Sequence, residues 1–248
     1  ALEEAEGKVT LRLQGGGALT ADMVIMCVGV RPNSALAKNA GLAINQRGGI
    51  VTDAFMRTSD PDIYAAGDCV EVTNRLTGRE MLAPYGDLAN LEGRVAGENA
   101  VLGDTVRFPG TIGSGICKVF DFAAGSTGLS EKAASAQGYT DIETVINASP
   151  DKPGFMTGLL LVTKLVVERS NGRILGAQCV GPGDVSKQLA TWAMAIKGRL
   201  TVDDMINADL PYAPPFSLPI DHSIAPARIM QNKLKRRMKV VSCSDYKK

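Results

Sequence analysis

Residues 58–69 read Thr58-Ser59-Asp60-Pro61-Asp62-Ile63-Tyr64-Ala65-Ala66-Gly67-Asp68-Cys69, and the way this stretch ends decides the fold of the first half of the chain. A polar turn around Asp60-Pro61-Asp62 runs into a small-residue strand that stops at Gly67-Asp68. A carboxylate just past the C-terminal end of a strand lies where ligands bind in open α/β sheets, which makes Asp68 a candidate binding residue. Gly67 has no Cβ and lets a ligand come close to the main chain. The dipeptide alone is also an ordinary tight turn, so its surroundings have to decide.

Upstream, residues 8–13 alternate apolar and polar, Gly15-Gly16-Gly17 supplies a turn, and residues 23–28 form a continuous apolar run, which together predict a hairpin ending in a buried strand. The breaker cluster Gly29-Val30-Arg31-Pro32-Asn33 follows, then a short helix over residues 34–40 closed by Gly41, and a strand at 50–52. Downstream, Leu88, Leu91, Val95 and Ala96 recur at helical spacing between about Tyr85 and Leu102. Composition shifts at Phe108-Pro109-Gly110, a candidate domain boundary. Beyond it we expect a strand over 116–122, a helix over 130–137 capped by Ser130, and a strand over 142–147. Strands over 159–168 and 174–180 flank Ser170-Asn171-Gly172-Arg173, where Asn-Gly suits a type I′ turn. Gly181-Pro182-Gly183-Asp184 opens a helix to about Lys197 and reads as a plain turn rather than an anion site. Thr201 caps a shorter helix, and a last one spans about 220–235.

Composition excludes several classes of function. The chain has 248 residues, 45% of them hydrophobic, with Lys+Arg 27 against Asp+Glu 26, so no global field draws it to nucleic acid or an anionic membrane. Its longest apolar run is too short to span a bilayer. Its five cysteines form no C-x-x-C pair, and there is only one histidine, His222, which argues against a metal site and for reduced thiols in the cytoplasm. Cys69, Cys117 and Cys179 read as small core residues and Cys243 as exposed. The acidic start lacks an initiator Met and a secretory signal, and reads as a cut end.

Taken in order, Ala21-Asp22 with Val24-Ile25, Gly29-Val30-Arg31-Pro32-Asn33, and residues 58–69 resemble the pyridine nucleotide-disulfide oxidoreductase superfamily, matching the C-terminal part of a full-length member. The resemblance implies FAD and NAD(P)H as cofactors. It places Gly29 and Gly67 near cofactor, lets Asp68 accept a hydrogen bond from a ribityl hydroxyl, and sets Tyr85 and Gly86 beside the flavin ring with Ala89 below. Relatives often carry Leu-Ala where this chain has Tyr85-Gly86. A second block, Tyr212-Ala213-Pro214-Pro215-Phe216-Ser217, resembles the signature of the NADH oxidase and coenzyme A-disulfide reductase branch. There the dimer partner supplies this segment, which implies a homodimer with Phe216 at the flavin and Tyr212 as the catalytic residue near the substrate sulfur. Members of that branch continue with Asp-Pro, whereas Asp221-His222 follows here. No Glu follows His222, so an acid-base dyad of the glutathione-reductase kind is not expected, and His222 reads as a surface or capping histidine. The basic run Lys233-Leu234-Lys235-Arg236-Arg237-Met238-Lys239 reads as a solvated helix end, with the phosphates of coenzyme A as the alternative partner.

The fold class expected is α/β plus α+β, a partial FAD/NAD(P)-binding Rossmann-like segment followed by an α+β dimerisation domain. Its pieces are 1–30 (the end of an NAD(P)H domain), 31–106 (the second FAD-domain segment), 107–230 (dimerisation) and 231–248 (a basic tail). The expected function is reduction of a coenzyme A disulfide, polysulfide, persulfide or dioxygen in company with a missing N-terminal half. Alone, the chain reads as a catalytically silent dimerisation module, because it has no G-x-G-x-x-G fingerprint and no candidate catalytic cysteine.

Overall fold

The computed structural model describes residues 1–238; Lys239 and Cys243, with the end of the basic tail, lie outside the described residues. The chain divides into two compact units, Ala1–Pro32 and the residues from Asn33 on.

The first unit is an antiparallel meander of β1 (Leu2–Ala5), β2 (Lys8–Arg12) and β3 (Ala18–Ala21). Val9 pairs with Ala21 and Arg12 with Ala18, and the Thr10 and Thr20 hydroxyls meet at 3.0 Å across the ladder. Residues 23–28, expected to form a buried strand, are instead irregular and open: Ile25 is 76% and Val28 83% exposed. An apolar strand of a parallel sheet is held by ladders on its sides and cover on both faces, and among the described residues nothing pairs with this run.

The second unit opens with α1 (Ala35–Asn39), ended by Gly41 at φ +80°. The strands expected at 50–52 and before Gly67 are reduced to single bridges, Ile50 to Val70 in parallel and Arg57 to Tyr64. β4 (Glu71–Thr73) and β5 (Glu80–Leu82) form a small hairpin, and α2 (Gly86–Leu102) follows. Leu88, Glu92, Val95, Ala96 and Asn99 make the buried stripe of α2, while Leu91 is 49% exposed. That stripe packs with Met56, Val70, Val72 and Phe108 into one core. Asn99 closes the far end, its amide group donating to the Phe55 and Val106 carbonyls and its carbonyl oxygen accepting from the Thr105 and Val106 amides.

A five-stranded antiparallel sheet comes next, built from β6 (Gly115–Val119), β7 (Phe122–Gly128), β8 (Ile142–Pro150), β9 (Leu160–Glu168) and β10 (Ile174–Gly181) in the order β6-β7-β10-β9-β8. The single strand expected over 116–122 is a hairpin instead, turned at Phe120 (φ +53°). The Ser170–Arg173 turn departs from type I′, because Gly172 alone takes positive φ (+71°) and its amide donates to the Glu168 carbonyl across a longer loop. The caps expected at Ser130 and Thr201 form, on α3 (Glu131–Ala136) and, with Asp204 completing a capping box, on α5 (Val202–Ile206); α4 (Val185–Lys197) opens where expected and is capped by Asp184. α6 (Ile224–Leu234) starts later than expected, and near its end Lys233 pairs with Glu143 at 2.6 Å rather than lying free in solvent. α4 packs on β7 and β10 and α6 on β8 and β9, enclosing a core in which Trp192, the sole tryptophan, is fully buried with its Nε1 unpartnered.

Candidate functional site

Gly67 takes φ +94°, a conformation an L side chain rarely adopts, and the residue after it, Asp68, is exposed. This turn rests on the first half of α2. A Cβ on Gly67 would lie 3.8 Å from the Ala89 methyl group, and the Gly67 N–H donates to Glu92 Oε2 at 2.7 Å. The N-cap of α2 is Tyr85, which offers no side-chain acceptor to the first-turn amides. Those N–H groups and the positive end of the helix dipole therefore remain available to an electron-rich ligand. Tyr85 and Gly86 line a cavity of about 350 Å³ whose other walls include Ser114, Gly115, Ser126 and Ser186. The Tyr85 ring fills the space beside Gly115, with Cε1 3.4 Å from where a Cβ would stand there.

Sequence reasoning missed Glu92. It is 1% exposed, and burial pushes its carboxyl group up to about 7, opposed by the Gly67 N–H and assisted by the like charge of Asp68. The signal was available, since Glu92 falls in step with Leu88, Val95, Ala96 and Asn99 on the apolar face of the helix.

The second block stands apart from the first. Tyr212 is 51% and Phe216 74% exposed, and among the described residues no hydrogen bond links either to Gly67, Asp68 or Tyr85. Their segment is fastened from behind. Lys187 of α4 donates to the Phe216 carbonyl at 3.4 Å and to Asp221 Oδ2 at 2.8 Å. Burial alone would raise the Asp221 carboxyl; Lys187 and the Ser223 N–H outweigh it and hold it below the usual carboxylate range.

His222 is not the surface residue expected. It is fully buried, with Nδ1 2.7 Å from Ser149 Oγ on β8 and Nε2 2.9 Å from Thr163 Oγ1 on β9. Burial lowers its pKa against the raising fields of Asp221 and Asp151, so the ring is neutral at pH 7 and serves as a structural pin. Thr163 also donates to Cys179, which is buried, whereas Cys117 is exposed, against expectation, because it lies on the edge strand β6. Gly29 has φ +85° with open space around it and belongs to the first unit. Among the described residues there is no cluster suited to a metal ion and no helix long and apolar enough to cross a membrane.

A glycine turn set on an uncapped helix and an antiparallel dimerisation-type sheet behind it define the class. Residues 1–86 match the pyridine nucleotide-disulphide oxidoreductase model and residues 115–223 the dimerisation domain of the same family, and the chain belongs to that family. Among its relatives, an NAD(P)H sulfur oxidoreductase (CoA-dependent) of Pyrococcus furiosus is 36% identical over 92% of this chain and 51% of its own length. An NADH oxidase of Methanocaldococcus jannaschii is 34% identical over 79% of this chain and 43% of its own. The solved structure of an NAD-dependent persulfide reductase from A. fulgidus superposes with a TM-score of 0.91 at 41% identity, covering 99% of this chain and 45% of that one. The chain thus spans about half the length of the relatives it matches.

Proposed function

We propose that these residues supply part of the flavin site and the dimer-forming half of an FAD- and NAD(P)H-dependent oxidoreductase that reduces a disulfide- or persulfide-type sulfur substrate. The observation that carries this reading is the Gly67–Asp68 turn held against the uncapped start of α2. The residues fit the cofactors that family membership implies: an open glycine, an exposed carboxylate and free helix amides are what a polyhydroxylated, electron-rich ligand needs. When bound, FAD would accept a hydride from NAD(P)H and hand two electrons to an S–S bond.

In this reading Asp68 accepts a hydroxyl hydrogen bond, Gly67 and Ala89 leave room beside the ring system, Tyr85 lies beside it, and the first-turn amides from Gly86 onward stabilise negative charge. Gly29 is a further cofactor-binding residue in this reading. Tyr212 and Phe216, facing outward on a proline-stiffened segment, act on the site of a second copy, which makes the working unit a homodimer; Tyr212 donates to the developing thiolate. The segments 1–30, 31–106 and 107–230 correspond to nicotinamide-side, flavin-side and dimerisation parts. Coenzyme A disulfides and polysulfides are the substrates this reading favours, after relatives named coenzyme A disulfide reductase and NAD(P)H coenzyme A polysulfide/persulfide reductase, with dioxygen second after the NADH oxidase. The free thiols fit the cytoplasm.

The test is the visible spectrum and solution mass of the protein titrated with FAD. A dimer with a flavin spectrum, bleached by NADH under anaerobic conditions and restored by polysulfide or coenzyme A disulfide, is the expected outcome. A dimer that stays colourless with excess FAD defeats the reading for this chain and leaves a silent dimerisation module.

A further inference from the structure

We propose that Glu92 is a positioning residue of the cofactor site: its carboxyl group holds the Gly67 N–H and, through that bond, the turn that presents Asp68. The inference rests on the flavin reading of Asp68 given above and adds to it a residue that touches no cofactor itself. The bond is 2.7 Å long and reaches from the second turn of α2 back to a glycine at φ +94°, so it fixes the main chain at its most adaptable point. Among the described residues no other side chain of α2 hydrogen-bonds to the Gly67–Asp68 turn.

The placement is hard to explain by stability alone. A carboxyl group 1% exposed among Leu88, Val95 and Ala96 gives up its hydration, and an apolar residue there would pack without that cost. Among the described residues Glu92 has no cation partner; Arg94, two residues on, is exposed and paired with Glu98. The charged group that acts on Glu92 is Asp68, across the bond on the turn, and it acts unfavourably. Burial that costs stability and is tolerated beside a ligand-facing turn marks a residue kept for function. Both protonation states of the carboxyl accept from Gly67, but the ionised one adds a second negative charge next to Asp68, so we expect FAD binding to weaken as Glu92 ionises.

The experiment compares the parent protein with Glu92→Gln, which keeps an acceptor without charge, and Glu92→Ala, which removes it. Amide exchange at Gly67 is followed by mass spectrometry or NMR, and FAD affinity by titration, at about pH 6 and about pH 8, on either side of the ionisation. In Glu92→Ala we expect Gly67 to exchange at least about tenfold faster and FAD to bind about tenfold more weakly, as for one lost hydrogen bond to a charged or buried group. Glu92→Gln stays close to the parent at the lower pH and lacks the parent's weakening of FAD binding at the higher one. A merely structural role would leave the pH profiles of Glu92→Gln and parent alike. Unchanged Gly67 exchange in Glu92→Ala overturns the proposal, as does faster exchange with unaltered FAD affinity in both variants. If the parent binds no FAD, the flavin reading fails by itself, and the exchange arm still decides whether Glu92 sets the turn.

Discussion

The turn at Gly67–Asp68 is held by the buried Glu92, and the chain just beyond the Tyr212–Phe216 segment is pinned to β8 and β9 by the buried His222; the two side chains respond to pH with opposite sign. At the turn the anchor is Glu92, an acid whose pKa is raised to about 7 by burial. Its unfolded counterpart releases its proton near 4.5, so between those values the unfolded state holds fewer protons than the folded one. The stability Glu92 allows is therefore full below about 4.5 and is lost as pH climbs through about 7. Beyond the aromatic segment, which Lys187 fastens, the buried group is His222, a base whose pKa burial lowers from 6.5. There the unfolded state gains a proton first, and stability present above 6.5 is lost as pH falls below it. One molecule thus has a glycine turn whose anchor favours the acid side and a C-terminal segment whose pin favours the alkaline side.

The comparison is broken most severely by removing the pin. His222→Ala deletes a fully buried ring with two hydrogen bonds and leaves a cavity between β8 and β9, and we expect about 3 kcal/mol of stability to be lost in urea unfolding at neutral pH. Next in size is Glu92→Gln, which relieves the buried charge and stabilises by about 2 kcal/mol at pH 8, with the gain vanishing near pH 4.5, so paired melts at the two values isolate it. Gly67→Ala forces a Cβ into φ +94°. Since Ala89 lies at an ordinary 3.8 Å, the cost is conformational, about 1–2 kcal/mol by chemical denaturation, accompanied by weaker FAD binding. Smallest in stability is Tyr212→Phe, which removes an exposed hydroxyl: melting shifts by less than about 0.5 kcal/mol, while turnover with polysulfide falls about tenfold if the hydroxyl donates to the departing sulfur. A Tyr212→Phe protein with full turnover would reduce that residue to a packing role.

Local rules made much of this legible in the sequence. Ser130 and Thr201 announce their helices because a cap is decided by one side chain and the amides beside it. The apolar period of residues 85–102 gives α2 for the same reason. What escaped reading depends on partners far along the chain. His222 is buried because Ser149 and Thr163, 73 and 59 residues away, converge on its two nitrogens, and no spacing rule connects those positions. β7 is poor in strand-forming residues, with Gly125 and Gly128 among Ala, Ser and Thr, and is extended because β6 and β10 pair with it on both sides. The run 23–28 errs in the other direction: its residues favour a strand, but composition cannot supply the neighbours that a ladder requires. Of the residues singled out for the candidate site, Gly67, Asp68, Tyr85, Gly86 and Ala89 fall around one helix end, whereas Glu92 was passed over because its charge masked its position on the apolar face.

The buried Trp192 gives the protein an intrinsic optical label. With one indole in the whole chain, packed in the core between the five-stranded sheet and α4 and sealed from water, its emission lies toward the blue and moves to longer wavelength when that core opens. A bound flavin would absorb visible light and lose that signature on release from the other core. Two colours recorded in one denaturation would then separate loosening of the cofactor turn from melting of the sheet, and show in a single curve whether the two halves of the second unit unfold together.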